Sequence, residues 1–194
     1  ALLSQRRGGK TGNRTVKKEL TLVIGGCRSG KSRHALKLAE SYPGANRVFI
    51  ATCEPKDEEM RDRVARHQAE RQNRWQTQEA PLALAEAVKK LGEAADVLLV
   101  DCLTLWISNR ILQHPDETQL LSAGERLVDA FAAAKCPIVV VSNEVGTGIV
   151  PANALARTYR DAVGTVNRIV ATSADTVIWM VAGIPVPIKA APAP

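Results

Sequence analysis

Several scarcities in this sequence limit the classes of protein to which it can belong. Aromatic residues make up only 4% of the 194 residues, so a buried core must be built mainly from Leu, Val, Ile and Ala. No apolar run approaches the length of a transmembrane span, and none near the amino terminus has the length of a secretory signal. The apolar fraction of 45% and the charged fraction of 24% are typical of a soluble globular protein.

Cysteine and histidine are sparse as well, which disfavours a structural zinc site. The four cysteines are scattered, form no CxxC pair and have no histidine at zinc-binding spacing. They are typical of reduced, mostly buried thiols, so we expect a cytoplasmic protein. These cysteines are Cys27, Cys53, Cys102 and Cys136.

Acidic residues are missing from the first eighteen positions, where six basic residues stand. Those six equal the whole net charge of +6, so the body of the chain is nearly neutral. We predict that residues 1–18 form a solvated, disordered arm; an arm that binds nucleic acid or a membrane surface is the alternative. A proline- and alanine-rich tail at 190–194 is also predicted to be disordered, which leaves a single domain at 19–189.

Short apolar runs alternate with longer helical patterns between these two ends. The runs are almost continuously apolar, which is typical of strands buried on both faces of a parallel sheet. The alternation therefore predicts an α/β fold with a mostly parallel central sheet flanked by helices. Strands are predicted at 20–25, 47–52, 96–101, 137–143 and 176–183, and helices at 31–41, 57–71, 81–92, 103–113, 117–134 and 153–174.

The stretch GGCRSGKS matches the phosphate-binding pattern G-x-x-x-x-G-K-[ST] between a predicted strand and a predicted helix. Gly25 and Gly30 permit the backbone turns that direct successive N–H groups at phosphates. Lys31 adds a cation for the β- and γ-phosphates, and Ser32 offers a hydroxyl to Mg²⁺. The residues predicted to hold the triphosphate are Gly25, Gly26, Cys27, Arg28, Ser29, Gly30, Lys31 and Ser32.

A second strand end carries the acidic residue that such a loop requires. Asp101 closes the run DVLLVD after four consecutive apolar residues. We predict that its carboxylate holds Mg²⁺ directly or through water. An N-cap of the helix that starts near Leu103 is the alternative, and the two roles are compatible.

Several separated stretches, in this order, closely resemble one family. They are GGCRSGKSRHA, FIATCEPKDEEMRDRVARHQAER, WQTQE, VDCLTLWISN and NEVGTGIVPANALARTYRDAVGTVNR. The family is the bifunctional adenosylcobinamide kinase / adenosylcobinamide-phosphate guanylyltransferase of cobalamin biosynthesis, and the resemblance covers about residues 20–189. It implies a RecA-like P-loop fold, a homotrimer and two reactions. ATP or GTP phosphorylates the aminopropanol hydroxyl of adenosylcobinamide, and GTP then donates GMP to give adenosylcobinamide-GDP and pyrophosphate.

The resemblance also implies a covalent GMP–histidine intermediate. His67, in RVARHQAER, falls where the family carries this nucleophile, and a neutral imidazole is a competent nucleophile near neutral pH. If the segment is helical, Arg63 and Arg71 share its face, where guanidinium groups would hold phosphates. A solvated basic helix face is the alternative. We interpret His34 as a packing residue of the first helix and His114 as a loop residue.

Further nucleotide and substrate contacts follow from the same resemblance. Glu79 would contact the guanosine, since a carboxylate accepts from N1–H and the exocyclic amine of guanine; a plain surface carboxylate is the alternative. Asn143 and Glu144 follow a strand and are candidates for orienting Mg²⁺ or the substrate, against a structural turn. Cys27 stands where the family commonly has a small residue such as alanine. The other implied nucleotide contacts are Ala51, Thr52, Cys53, Gln68, Ala69, Glu70 and Arg71.

Two other functions remain open from the sequence. One is a guanylyltransferase without the kinase activity. The other is a P-loop ATPase module with a nucleic-acid partner, which depends on the basic arm and leaves His67 without a role. For the bifunctional enzyme we predict no nucleic-acid partner and no membrane span.

Overall fold

The computed structural model describes residues 18–55, 58, 62, 74–113 and 116–190. Most of the predicted helix at 57–71, most of the predicted arm and nearly all of the tail therefore lie outside the described residues. The strands are β1 (Leu20–Gly25), β2 (Arg47–Ala51), β3 (Gln76–Glu79), β4 (Val97–Asp101), β5 (Ile138–Asn143), β6 (Thr176–Val181) and β7 (Ile184–Lys189). The helices are α1 (Lys31–Ser41), α2 (Leu84–Leu91), α3 (Leu103–Gln113), α4 (Glu117–Ala133) and α5 (Ala154–Ser173).

Within this described part, the strands form one sheet in the order β3-β2-β4-β5-β1-β6-β7. All neighbouring strands are parallel except β6 and β7, which are antiparallel. The predicted α/β fold with a mostly parallel sheet is confirmed. Because the strands are parallel, β1, β2, β3, β4, β5 and β6 all end at the same edge, which we call the carboxyl edge; the opposite edge is the amino edge.

The central strand β1 shows why these apolar runs become strands. All six of its residues are buried, and Leu22 and Val23 are both 0% exposed. Successive side chains of a strand point to opposite faces, so Leu22 joins the core on one face and Val23 the core on the other. On the Val23 face, α1 contributes Ala35 and Ala39. The other helices cover the Leu22 face, and each buried Val or Leu stabilises the fold by roughly 1.5–3 kcal/mol.

The sequence did not predict the two outer strands of the sheet, β3 and β7. The predicted strand at 176–183 is wrong at its end, because Ala182 and Gly183 have positive φ angles of 51° and 85° and turn the chain back into β7. Strand β7 contains two prolines, which are tolerated at a sheet edge because one side of an edge strand needs no N–H donors. Strand β3 is short and fully exposed, so its sequence QTQE carries no apolar pattern.

The other predicted boundaries agree to within a few residues, and β1, α1 and α3 agree at both ends. Side chains fix two helix starts: Asp116 accepts from the N–H groups of Thr118 and Gln119 before α4, and Asn153 accepts from Ala156 N–H before α5. Across the described ranges, no helix combines the length and the apolar character needed to cross a bilayer.

Candidate active site

The phosphate-binding loop joins the end of β1 to the start of α1 at the carboxyl edge. Gly30 occupies the N-cap position of α1 with φ 87° and ψ 4°, and it provides no side-chain cap. Arg28 also has a positive φ, of 54°. The first N–H groups of α1 are therefore not capped by Gly30, and they combine with the positive end of the helix dipole to form an anion site.

Close packing explains the first glycine of this loop. A Cβ atom on Gly25 would lie 2.6 Å from the carbonyl oxygen of Met180 in β6 and 2.8 Å from Oγ of Ser29. A Cβ atom on Gly30 would lie 3.6 Å from Cα of Gly183, in the turn between β6 and β7. The loop thus rests on the β6–β7 hairpin, and a side chain at position 25 would displace it.

Lys31 and Ser32 open α1 directly after the loop. The ammonium group of Lys31 donates to the carbonyl oxygen of Gly26 at 3.1 Å, which keeps it over the loop. Ser32 is half-buried in the first turn, where α1 carries no acidic residue. The loop residues predicted to hold the triphosphate are thus gathered around one helix N-terminus; Ser29 is buried and its Oγ has no partner.

Asp101 ends β4 at the carboxyl edge. Its neighbours in register are Ala51 of β2 and Val141 of β5. Burial and the negative charge of Asp101 raise the pKa of the next residue, Cys102, to about 11, while Lys31 acts in the opposite direction. In the sheet order, β4 with Asp101 is separated from β1 and its loop by β5 alone, so the predicted metal ligand and the loop lie at the same edge two strands apart.

The backbone hydrogen bonds do not support the alternative role of Asp101 as the N-cap of α3. The N–H of Trp106 donates to the carbonyl oxygen of Cys102 at 3.3 Å, so Cys102 occupies the N-cap position and Asp101 precedes it. The Asp101–Cys102 peptide bond is cis.

Thr52 is buried directly beneath this strand end. It is 0% exposed, and its hydroxyl donates to the carbonyl oxygen of Cys102 at 2.7 Å and accepts from the N–H of Cys102 at 2.8 Å. Its neighbours Ala51 and Cys53 are half-buried at the same edge. The nucleotide contacts predicted for these three residues stay predictions, and the hydrogen of the Thr52 hydroxyl is already used inside the protein.

The end of β5 lies beside the phosphate loop, because Asn143 pairs with Gly25 in register. Asn143 donates from Nδ2 to Oγ1 of Thr104 at 3.1 Å, and its Oδ1 is buried without a partner. Asn167 of α5 fixes the strand end by accepting from Ser142 at 2.6 Å and donating to the carbonyl oxygen of Asn143 at 3.0 Å. Asn143 is therefore held rigidly next to the loop.

Glu144 has a turn-forming role in the structure. Its Oε1 accepts from the N–H of Gly146 at 2.5 Å, and its own N–H donates to the carbonyl oxygen of Gly25 at 3.0 Å. Arg160 of α5 holds the same turn by donating to the carbonyl oxygen of Gly146 at 2.7 Å. These contacts favour the structural alternative for Glu144, and a substrate contact stays a prediction.

Glu79 ends β3 and pairs in register with Ala51, which also pairs with Asp101. Glu79 and Asp101 are therefore at the same level of the carboxyl edge. Its exposed side chain lines a cavity of about 350 Å³ between the edge strand and α2, together with Gln78, Glu86 and Lys90. From β3 to β1 the sheet crosses four strand spacings, or about 19 Å. Glu79 and the phosphate loop thus stand at separate positions along one edge.

The predicted nucleophile segment falls outside the described residues, as does the predicted loop residue His114. The residues of that segment with predicted roles are Arg63, His67, Gln68, Ala69, Glu70 and Arg71. The chain is described again where it contacts the last turn of α1. Arg74 forms an ion pair with Glu40 at 3.2 Å, and Trp75 Nε1 donates to the same carboxylate at 3.5 Å. His34 is half-buried on α1, where burial and then the charge of Lys37 lower its pKa.

Three residues of this edge were missed from the sequence: Thr104, Asn109 and Asn167. All three are buried polar residues, at 1%, 7% and 6% exposure. Thr104 and Asn109 lie in the helical pattern LTLWISN, where polar residues at core positions of an apolar helix give a usable signal. Within the described residues, no group of three or more His, Cys, Asp and Glu side chains is arranged to hold a metal ion.

Comparison with known proteins adds to this geometry. The family model described as cobinamide kinase / cobinamide phosphate guanyltransferase matches residues 21–188. The bifunctional adenosylcobalamin biosynthesis protein CobP of Pseudomonas aeruginosa is 42% identical over 171 residues, covering 88% of this chain and 98% of that protein. The corresponding protein CobU of Salmonella typhimurium is 38% identical over 182 residues, covering 88% of this chain and 99% of that protein.

Among solved structures, one described as an ATPase domain superposes with a TM-score of 0.55 at 12% identity, covering 91% of this chain and 78% of that one. At this identity the likeness concerns the fold alone. It supports the RecA-like P-loop architecture that the family resemblance implied, with the phosphate loop after β1 and the acidic strand end two strands away.

Proposed function

Because the chain belongs to the cobinamide kinase / cobinamide phosphate guanyltransferase family, we propose that it phosphorylates adenosylcobinamide and then guanylylates the product. The observation that carries this proposal is the position of the phosphate loop, Lys31 and Asp101 at one sheet edge, in a chain that matches the family model from residue 21 to 188. ATP or GTP serves the first reaction and GTP the second.

In the kinase step, the aminopropanol oxygen attacks the γ-phosphorus of the nucleotide. The bond from that phosphorus to the bridging oxygen breaks, the nucleoside diphosphate leaves, and the hydroxyl proton passes to solvent. The loop N–H groups bind the phosphates, and Lys31, 3.1 Å from the carbonyl oxygen of Gly26, neutralises charge on the phosphoryl oxygens. Asn143 is proposed to orient the substrate, because its amide is fixed beside Gly25.

The donors at this edge fit Mg²⁺. The Ser32 hydroxyl and the Asp101 carboxylate are hard oxygen ligands, and Mg²⁺ takes few protein ligands together with waters and phosphate oxygens. When bound there, the ion would offset negative charge between the β- and γ-phosphates. The protein residues have their own roles, since Lys31 and the N-terminus of α1 hold the phosphates.

In the second step, a ring nitrogen of His67 attacks the α-phosphorus of GTP, and pyrophosphate leaves. The phosphate of adenosylcobinamide phosphate then attacks the same phosphorus, and the bond to His67 breaks. This assignment comes from the family resemblance of RVARHQAER, as do the nucleotide contacts of Gln68, Ala69, Glu70 and Arg71. Glu79 is proposed to bind guanine, which its exposed position beside a cavity of about 350 Å³ allows.

We propose a cytoplasmic homotrimer as the assembled form. The resemblance supplies the number of subunits, and an exposed apolar hairpin supports an assembly contact. Trp179, Val181, Ile184, Val186 and Ile188 of β6 and β7 are 39–63% exposed. Contiguous exposed apolar residues on an edge strand are typical of an interface. Light scattering after size exclusion tests this, because Ile184→Lys together with Ile188→Lys is expected to yield monomers.

The decisive experiment for the chemistry uses GTP radiolabelled at the α-phosphate. After denaturing electrophoresis, we expect label on the wild-type protein that is labile in acid and stable in base, as a phosphoramidate is. His67→Ala should lose the label and still phosphorylate adenosylcobinamide. His34→Ala is the matched control and should keep both activities. Absence of label from the wild type would overturn the covalent mechanism, and absence of phosphorylation would leave a guanylyltransferase alone.

A further inference from the structure

We propose that Thr52 is a positioning residue that fixes the Asp101 carboxylate for Mg²⁺, and that it acts through the Cys102 backbone rather than by touching the nucleotide. The inference deepens the proposed function and rests on it. It concerns how one buried hydroxyl, distant in sequence from the acidic strand end, controls the geometry of the phosphate site.

The Thr52 hydroxyl makes two hydrogen bonds to Cys102. It donates to the carbonyl oxygen of Cys102 at 2.7 Å and accepts from the N–H of the same residue at 2.8 Å. One hydroxyl therefore holds both polar groups of the residue that directly follows Asp101. Both groups are away from water, since Thr52 is 0% and Cys102 7% exposed.

Thr52 also contacts the other polar end of the peptide group that joins Asp101 to Cys102. The N–H of Thr52 donates to the carbonyl oxygen of Asp101 at 3.4 Å, and Ala51 pairs with Asp101 in register. The C=O of Asp101 and the N–H of Cys102 belong to this one peptide group, so Thr52 binds it at both polar ends, through its own N–H and its hydroxyl. With that peptide group fixed and Asp101 held in the ladder beside Ala51, the direction of the Cα–Cβ bond of Asp101 is fixed as well.

Thr52 is itself held in place by α3. Asn109 of α3 donates from Nδ2 to the carbonyl oxygen of Thr52 at 2.9 Å and to that of Pro81 at 3.2 Å. Asn109 is only 7% exposed, so these bonds do not compete with water. A buried polar network in which each group is satisfied is rigid, and it gives the Asp101 carboxylate one position in advance of metal binding.

A direct nucleotide contact is the competing explanation, and the same distances disfavour it. The hydroxyl has one hydrogen, which Cys102 already receives. A side chain at 0% exposure presents no surface to a ligand. Positioning and contact also predict different behaviour, since misplacing a metal ligand by about 1 Å lowers turnover by roughly 100-fold and weakens only the Mg²⁺-dependent part of nucleotide binding.

The test is a graded series at position 52. Thr52→Ser keeps the hydroxyl, Thr52→Cys replaces it with a weak hydrogen-bonding group, and Thr52→Val has the same shape without a donor. Thr176→Val is the matched control, because the Thr176 hydroxyl donates to Glu19 at 2.8 Å at the opposite edge of the sheet. Each protein is studied at full length, after its melting temperature without ligand has been recorded.

Two measurements separate the explanations. The first, independent of turnover, is the rise in melting temperature caused by an ATP analogue with a nitrogen between its β- and γ-phosphates, with Mg²⁺ and with EDTA. We expect the Mg²⁺-dependent part to fall below about half of the wild-type value in Thr52→Val. The second is the kinase rate at saturating nucleotide and Mg²⁺, which should fall roughly 10- to 100-fold.

Serine should restore both quantities, cysteine should be intermediate, and Thr176→Val should match the wild type in both. Wild-type Mg²⁺ dependence in Thr52→Val would overturn the proposal, as would a raised KM with an unchanged Mg²⁺ dependence. If Thr52→Val does not fold, equal behaviour of the serine and cysteine variants would overturn it. A wild type without phosphorylation or an Mg²⁺-dependent shift would instead contradict the proposed function.

Discussion

The two edges of the parallel sheet use the same kinds of polar residue in different ways. At the amino edge, Asp175 accepts from the N–H of Leu20 at 2.8 Å, and Glu19 accepts from Thr176 at 2.8 Å and from Tyr42 at 3.4 Å. Asp96 accepts from the N–H of Asn46 at 2.8 Å. Each of these carboxylates holds a segment of the chain in place.

At the carboxyl edge, some polar groups have no partner within the chain. Among the described residues, the two buried side-chain oxygens without a hydrogen bond are those of Ser29 and Asn143, and both flank Gly25. Leaving such an oxygen buried and unsatisfied costs roughly 1–3 kcal/mol. That cost is tolerated at the edge where the phosphate loop and Asp101 converge.

Cavity size is a poor guide to function in this fold. The amino edge carries a cavity of about 350 Å³, lined by Lys18, Glu19 and Asp175 among others. Both of its carboxylates have partners within the chain. Unsatisfied buried oxygens and glycine-lined backbone mark the active edge more clearly than volume does.

The largest expected effect comes from the loop cation. Lys31→Met should lower the kinase rate roughly 1000-fold, because it removes a preorganised positive charge from the phosphates. The melting temperature without ligand should stay near the wild-type value, since the ammonium bonds to the carbonyl oxygen of Gly26 in the loop and not within either hydrophobic core. Lys37→Met, at an exposed position on the same helix, is the control and should keep full activity. Equal losses in both variants would contradict this account.

The next largest effect is expected at Asp101, and it can be compared with the same substitution at Asp96, at the other end of β4. Asp101→Asn removes one charge from the proposed Mg²⁺ site and should lower the kinase rate roughly 100-fold. Asp96→Asn makes the same chemical change before β4, where an amide oxygen can still accept from Asn46 at 2.8 Å. We expect its activity to stay within about twofold of wild type. If steady-state kinetics give similar losses for both, the distinction between the edges fails.

A stability effect should dominate at the amino edge. Asp175→Ala leaves the buried N–H of Leu20 without its partner at 2.8 Å, which should lower the free energy of unfolding by about 1–3 kcal/mol. The kinase rate of the folded variant should not change. Urea denaturation and a kinetic assay on the same preparation test both statements. A variant of wild-type stability with a reduced rate would reverse the assignment of this edge.

How far the sequence predicts this molecule depends on the range of the interactions. The ends of β1, α1 and α3 follow from local signals, because an apolar run, a glycine-rich loop and a strand-end aspartate lie next to one another in the chain. Asp101 and Asn143 lie at the same edge as the loop, because parallel strands all end there. Predicting that part of the candidate site required only the positions of the strands.

The rest depends on contacts between distant segments. Thr52 and Cys102 are 50 residues apart, and no local pattern indicates that a hydroxyl would bind both backbone groups of Cys102. Strand β3 forms because it pairs with the backbone N–H and C=O groups of β2, although QTQE has no apolar periodicity. The turn at Ala182 and Gly183 converts one predicted strand into a hairpin through two positive φ angles.

A smaller effect concerns the thiols, which behave alike at the two edges. Burial raises the pKa of Cys102 at the carboxyl edge and of Cys136 at the amino edge to about 11. Each thiol therefore stabilises the fold while protonated, and this contribution is complete below about pH 9 and is lost as pH rises toward 11. Between pH 8 and pH 10, Cys102 should account for a loss of about 1 kcal/mol.

Urea denaturation at both pH values tests this, with Cys102→Ala and Cys136→Ala compared with wild type. Each variant should lose less stability over the interval than the wild type does. Identical pH dependence in all three proteins would show that the fold keeps neither thiol protonated.

The smallest expected effect lies inside the active edge, at Cys27 of the phosphate loop. Its side chain is exposed and its φ is not positive, so alanine fits the same backbone, and we expect a phosphate to bind its N–H. Cys27→Ala should therefore leave the kinase rate and the KM for nucleotide within about twofold of wild type. Gly30→Ala is the contrasting variant, because φ 87° disfavours any Cβ there, and it should lose nucleotide affinity. A large loss in Cys27→Ala would mean that a side chain, and not the loop backbone, contacts the phosphates.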